Sequence, residues 1–226
     1  MNQGAYLVDR NFVDPQTIGD LHAEIQEKDW VPTHPDGPYQ SDAWRVIKLI
    51  SKKQKTAEGG KFAKLWPIID RFKCPIDDMV YYSILPGGIL HPHRDVGSTL
   101  ELNRLRFHIP IKTNPGVDFR VSKKTVPMKP GELWALNTSY LHSVSNLGDA
   151  DRIHLVLMVE VNDWVWSLLP KKNHRYYAHA AGFFSLIGWT AVKTVLFDRE
   201  KLKGRIKLAA GTSRQFAGDG DVTAAT

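Results

Sequence analysis

The sequence predicts a mainly β protein, a sandwich or barrel with helices packed outside it. Three observations predict this. Between Met79 and Val161 the strand-forming residues fall in short runs, 79–85, 104–112, 117–121, 131–136, 140–146 and 152–161. Turn signals separate these runs at Asn114-Pro115-Gly116, Lys129-Pro130-Gly131 and Asn146-Leu147-Gly148-Asp149. Helical periodicity is confined to segments before and after them, and no internal repeat is visible.

Taken in order, Asp14-Pro15 starts a helix, with Asp as the cap and Pro at the first helical position. Ile18, Leu21 and Ile25 give it one apolar face up to Lys28. Residues 31–43 carry three prolines and a glycine and read as loop. Residues 44–50 alternate as a strand, and 52–60 form a polar loop. Residues 61–72 read as an amphipathic helix with Phe62, Leu65, Ile68, Ile69 and Phe72 inward. Pro67 kinks that helix or splits it into two shorter turns. Residues 176–197 form a third helix, with Phe184, Ile187, Ala191 and Val195 on one face. The chain therefore divides into a single domain at 1–164, a helical basic extension at 165–208 and a small polar tail at 209–226 expected to be disordered. Within the domain, 1–78 is the helical part and 79–164 the barrel core.

Hydrophobic and charged contents of 42% and 24% are ordinary for a globular protein. A single cysteine, Cys74, excludes an internal disulfide and a thiolate zinc cluster and fits a reducing compartment. The N-terminus lacks a basic region followed by an apolar run, so no signal peptide is expected, and the expected location is cytoplasmic. No apolar stretch is long and clean enough to span a bilayer. From Val165 onward ten Lys/Arg face four acids, so the whole net charge of +6 belongs to that extension. A nucleic-acid partner is not expected, because the basic tail carries no binding motif. The 176–197 segment reads as core or homodimer interface, with peripheral membrane contact through 164–208 as the alternative.

The chemistry centres on His91-Pro92-His93-Arg94-Asp95, after a Pro86-Gly87-Gly88 break. His93 and Asp95 are two residues apart at a turn or strand start, so both can reach one metal ion. His91 competes with His93 for that role. A third ligand has to come from a later strand, where His142 and His154 occur. A two-His, one-carboxylate set leaves three positions open, the arrangement of non-haem Fe(II) oxygenases. A co-substrate bearing a carboxylate then needs a planar cation, and Arg152 lies ten residues after His142.

Five ordered pieces carry a resemblance: His91-Pro-His-Arg-Asp95, Arg104-Leu-Arg-Phe-His-Ile-Pro110, Gly131-Glu-Leu-Trp-Ala-Leu136, Leu141-His-Ser143 and Arg152-Ile-His-Leu-Val156. Over residues 79–162 the chain resembles the aspartyl/asparaginyl β-hydroxylase-like family of Fe(II)/2-oxoglutarate dioxygenases. It is especially similar to the small bacterial members of the proline cis-4-hydroxylase type, which act on free amino acids. The resemblance implies a double-stranded β-helix, or jelly roll, with iron inside. It implies that His93, Asp95 and His142 hold Fe(II), that Arg152 binds the distal carboxylate of 2-oxoglutarate, and that His108 lies near this co-substrate with Arg106 or Arg104 assisting. O2 is the second co-substrate. The peptide-hydroxylating branch has glycine where this chain keeps Asp95.

The implied substrate is a small polar molecule, an amino acid or a metabolite derived from one. A lipid- or carrier-bound substrate and a non-catalytic jelly-roll binding module are the alternatives. His154 reads as a partner of a site residue, a substrate contact or a core histidine, and Trp134 as barrel core. Arg94 and Arg104 read as surface charges, with a substrate carboxylate as Arg94's alternative partner. Asn137 and Ser139 read as polar wall. Residues 30–60 are the segment expected to cover the substrate.

Overall fold

The computed structural model describes residues 4–33 and 43–197. In chain order the elements are β1 (Ala5–Asp9), α1 (Pro15–Gln26), β2 (Val31–Pro32), β3 (Trp44–Ser51), β4 (Gln54–Lys55), α2 (Trp66–Ile69), β5 (Ile76–Ile84), β6 (Ile89–His93), β7 (Arg104–Lys112), β8 (Val117–Val121), β9 (Lys124–Thr125), β10 (Leu133–Leu136), β11 (His142–Asn146), β12 (Arg152–Glu160), α3 (Asp163–Leu168) and α4 (His174–Phe197). The strands make two antiparallel sheets. The larger runs β1-β10-β7-β12-β5-β3-β2 with β4 on β3, and the smaller runs β6-β11-β8-β9. This is the jelly-roll arrangement expected of the sequence, a mainly β core with helices outside.

Strand alternation gives the larger sheet two distinct faces. Ile153, Leu155, Leu157 and Val159 of β12 join Leu105, Phe107 and Ile109 of β7 in one core. Ile18, Leu21 and Ile25 of α1 belong to the same core, and so do Phe62, Leu65, Ile68, Ile69 and Phe72. Each such large apolar side chain contributes about 1.5–3 kcal/mol on burial. The other face meets the smaller sheet in a second core, where Trp44, Ile84 and Leu136 join Leu90, Phe119, Val121 and Val144.

Local chemistry sets the element ends. Asp14 caps α1 by accepting from the Thr17 backbone N–H at 3.0 Å and its hydroxyl at 2.6 Å, worth about 1 kcal/mol. The 61–72 segment is not one helix: a 3-10 turn at Gly59–Lys61 precedes it, and the single-turn α2 begins with Pro67 in its first turn, while its apolar positions stay buried. β6 contains Pro92, which an edge strand tolerates because one side of its ladder is unpaired.

Three expectations need correction. Residues 1–78 are not mainly helical: they supply β1 to β4, which extend both edges of the larger sheet. The compact unit runs from Met1 to Tyr176, past the boundary expected at 164, because Val165, Leu169 and Tyr176 belong to the first core. In α4 it is Phe183 that is buried, while Phe184 is exposed. Residues 34–42 of the expected loop and the tail at 209–226 lie outside the described residues. Among the described residues no helix is long and apolar enough to cross a membrane.

Two turns at one end of the barrel are packed backbone against backbone. Asn114 accepts from the Gly116 N–H at 2.9 Å and donates to the Ala150 carbonyl at 2.7 Å. Asn146 donates to the carbonyls of Ile84 and Ala150, each at 2.8 Å. A side chain at Gly116 would strike the backbone of Gly148, and one at Gly148 would strike Asn114. These turns lead into β8 and β12, so they set where Arg152 begins its strand.

Candidate active site

β6 and β11 are antiparallel neighbours, and their register places His93 opposite His142. The two imidazole centroids are 4.2 Å apart. Asp95 lies just past the end of β6, where its N–H donates to the Thr138 carbonyl at 3.0 Å. That bond ties the loop after β6 to the loop before β11. His93 Nε2 and His142 Nε2 each lie 3.6 Å from an oxygen of Asp95. The potential ligand atoms of all three residues are within 4.8 Å of one another.

Backbone carbonyls fix the tautomer of both rings. His93 Nδ1 lies 2.7 Å from the His91 carbonyl, and His142 Nδ1 lies 3.0 Å from that of Tyr140. A carbonyl only accepts, so each Nδ1 carries the hydrogen and each Nε2 presents its lone pair. Two such nitrogens and a carboxylate converge as three acceptors, an arrangement that a cation between them holds together. The donor set fits a divalent first-row metal ion, with the Nδ1 bonds orienting the ligands. Burial opposes ionisation of Asp95, but its contact with His142 and the charge of Arg106 outweigh that and hold its carboxyl well below the usual range. Burial and the neighbouring His142 lower His93 and favour its neutral, ligating form. Arg106 Nη1 lies 2.6 Å from Asp95 Oδ2.

The three residues line one end of a cavity of about 140 Å³, with Arg152, His108 and Phe119 also in its wall. Arg152 is 2% exposed, and among the described residues no carboxylate lies within ion-pair distance of it. Its Nη2 is 2.8 Å from His154 Nδ1, and its Nε has no hydrogen-bond partner. Arginine only donates, so His154 accepts at Nδ1 and is neutral. Burial, then the charge of Arg152, pushes His154 well below its ordinary range, and the same two causes act on His108. Burial pulls Arg152 down to about 9, which leaves it charged at neutral pH. A buried cation without a counter-charge is costly, so this end of the cavity is built for an anion. Arg152 and His154 also line a second cavity of about 400 Å³.

The remaining residues singled out by sequence have other places. His91 is exposed on β6 and orients His93 through its carbonyl. Arg104 pairs with Asp77 at 2.9 Å. Arg94 donates to the Ser139 carbonyl. Trp134 is half-buried and donates to Glu132 at 2.8 Å. Asn137 accepts from the Leu100 N–H at 3.1 Å and donates to Glu101 at 2.8 Å, bracing the loop after β6. Sequence reasoning missed Trp44, Tyr82 and Thr138 as cavity wall. Alternation along β3 and β5 was the available signal, since Trp44 and Tyr82 lie on the face that carries Ile84.

The model of a family described as aspartyl/asparaginyl beta-hydroxylase matches residues 16–161, well over half of the chain. No curated protein matches the sequence. Among solved structures, the chain is similar to HygX from Streptomyces hygroscopicus with nickel and 2-oxoglutarate bound. The identity is 12% and the TM-score 0.50, over 72% of this chain and 84% of that one. It is also similar to SnoN, a non-haem α-ketoglutarate-dependent epimerase from nogalamycin biosynthesis, at 13% identity and a TM-score of 0.50 over 76% and 87% of the two chains. At such identities these two likenesses speak for the fold.

Proposed function

The chain belongs to the aspartyl/asparaginyl β-hydroxylase family, and on that premise we propose that it hydroxylates an unactivated C–H bond of a small polar substrate, an amino acid or a metabolite derived from one. The family makes it a 2-oxoglutarate-dependent non-haem iron enzyme. One observation supports the site assignment most: two backbone-oriented imidazoles and a carboxylate converge in a cavity whose wall also holds a buried arginine without a counter-charge. In this reading His93, Asp95 and His142 hold Fe(II). The bound metal, with 2-oxoglutarate and O2, supplies the oxidising power, and succinate and CO2 leave.

The protein's own residues do the positioning. Arg152 takes the distal carboxylate of 2-oxoglutarate, because its Nε is buried without a partner and no carboxylate among the described residues pairs with it. His154 holds the guanidinium plane from behind. His108, neutral and beside both arginines, offers a polar contact without adding charge. Arg106 keeps Asp95 ionised for metal binding. Trp44, Phe119 and Val144 exclude water from the wall. The oxygenase domain of this proposal is the compact unit of residues 1–176, and its proposed setting is the cytoplasm.

The test is succinate release with Fe(II) and 2-oxoglutarate, alone and with each free amino acid. One amino acid is expected to raise the rate well above the uncoupled background. Background turnover that no amino acid stimulates would remove the substrate class and keep the chemistry. Absence of both 2-oxoglutarate binding and turnover would leave a non-catalytic jelly roll.

A further inference from the structure

The helix α4 does not match the rest of the surface. From Tyr176 to Val192 it contains no Asp, Glu, Lys or Arg, and His179 is its sole titratable side chain apart from the two tyrosines. Phe183 is buried, yet two neighbouring lines of residues are exposed. Tyr177, Ala181, Phe184 and Gly188 follow one line along the helix, and Ala178, Gly182, Ser185 and Trp189 follow the next; all eight are exposed. Trp189 is 61% exposed, Leu186 50% and Phe184 49%. A methyl group built on Gly182 or Gly188 would meet nothing within 4 Å. A broad uncharged face carrying a tryptophan and a phenylalanine is unusual on a helix in water. It is what a helix lying in a membrane interface presents.

Charge identifies the surface it suits. Residues 193–214 carry seven Lys/Arg against Asp198 and Glu200, and Lys171, Lys172 and Arg175 precede the uncharged stretch. An apolar helix face between basic segments matches an anionic lipid surface, where each nearby basic residue adds attraction. The helix does not qualify as a membrane span, so it would lie on the surface. A second copy of the chain is the weaker occupant. One helix face of this length offers on the order of a few hundred Å², against about 800 Å² per partner in a standard stable interface.

We propose that the exposed face of α4 and the basic residues after it dock this protein on anionic lipid surfaces. The proposal is independent of the oxygenase chemistry. Flotation of the full chain with vesicles of phosphatidylcholine, with and without phosphatidylserine, tests it. The expected result is recovery with the phosphatidylserine vesicles and little without, weakened by salt. Replacing both Phe184 and Trp189 by Ser should reduce recovery by about tenfold or more, with an unchanged thermal midpoint because both are surface residues. Replacing Lys201, Lys203, Arg205 and Lys207 by Gln should weaken binding by about fivefold per removed charge. Equal recovery from both vesicle types, no recovery from either, or undiminished recovery of the Phe184/Trp189 variant overturns the proposal. So does a dimer, seen by light scattering, that this variant dissociates, since it shows a second copy on the face.

Discussion

The two faces of the larger sheet use the same strands for opposite purposes. On β12, Ile153, Leu155, Leu157 and Val159 point into an apolar core shared with α1. Between them, Arg152 and His154 point the other way and line cavities. Both sets are buried to the same degree, with Leu155 at 0% and Arg152 and His154 at 2%. Burial alone therefore does not distinguish core from site; polarity does. The apolar face supplies stability that offsets a desolvated guanidinium costing several kcal/mol. The polar face keeps that guanidinium available because no carboxylate among the described residues pairs with it.

The largest effect should come from the polar side. Asp95→Ala removes the carboxylate between two oriented imidazoles. Metal affinity is expected to fall by more than about 100-fold, and 2-oxoglutarate turnover with it, as titration calorimetry under anaerobic conditions would read. Retained tight binding would break the assignment of His93, Asp95 and His142 to one ion.

Arg152→Met should separate binding from stability. Loss of the cation is expected to weaken 2-oxoglutarate binding by about 2–5 kcal/mol. The thermal midpoint of the unliganded protein should rise, since an apolar chain replaces an uncompensated buried charge. A variant that instead unfolds would show that the guanidinium serves the fold.

Leu155→Ala is the mirror experiment three residues away. It should cost about 2–5 kcal/mol in urea denaturation and leave the metal and 2-oxoglutarate affinities of the folded protein unchanged. Weakened 2-oxoglutarate affinity there would show that the two faces are not independent.

The smallest effect is a pH dependence to which the polar face contributes His108 and His154. His108 and His154 have folded-state values well below the ordinary 6.5, so below that pH the unfolded chain binds more protons. Their contribution to stability is complete above pH 6.5 and is lost as the pH falls, by up to about 1.4 kcal/mol per unit for each histidine. Urea midpoints between neutral pH and about pH 5.5 should decline accordingly, and His154→Gln should reduce the slope. An unchanged slope in that variant would mean that His154 is not the buried neutral group described.

Much of this was legible in the chain because it was periodic. The core face of α1 and the strand run of β12 follow from spacing, and the motifs that carry the family resemblance singled out His93, Asp95, His142 and Arg152, which the fold brings to one cavity. What was not legible depends on partners distant in sequence. β1 is five residues long and exists because β10 offers it an edge. β6 carries a proline that argues against a strand until its edge position is known. Arg106 was read as a helper of the co-substrate, and only the folded chain places it against Asp95. Trp44 reads as an ordinary strand residue until β3 pairs with β5 and brings it to the cavity.

The interlocked turns around Gly116 and Gly148 bear on how this protein can change. Side chains are barred there because Gly116 meets the main chain of the other turn and Gly148 meets the Asn114 side chain, and β12 opens with Arg152 only four residues after Gly148. An engineer who lengthened or decorated either bend would shift the start of β12, and the buried guanidinium of Arg152 with it.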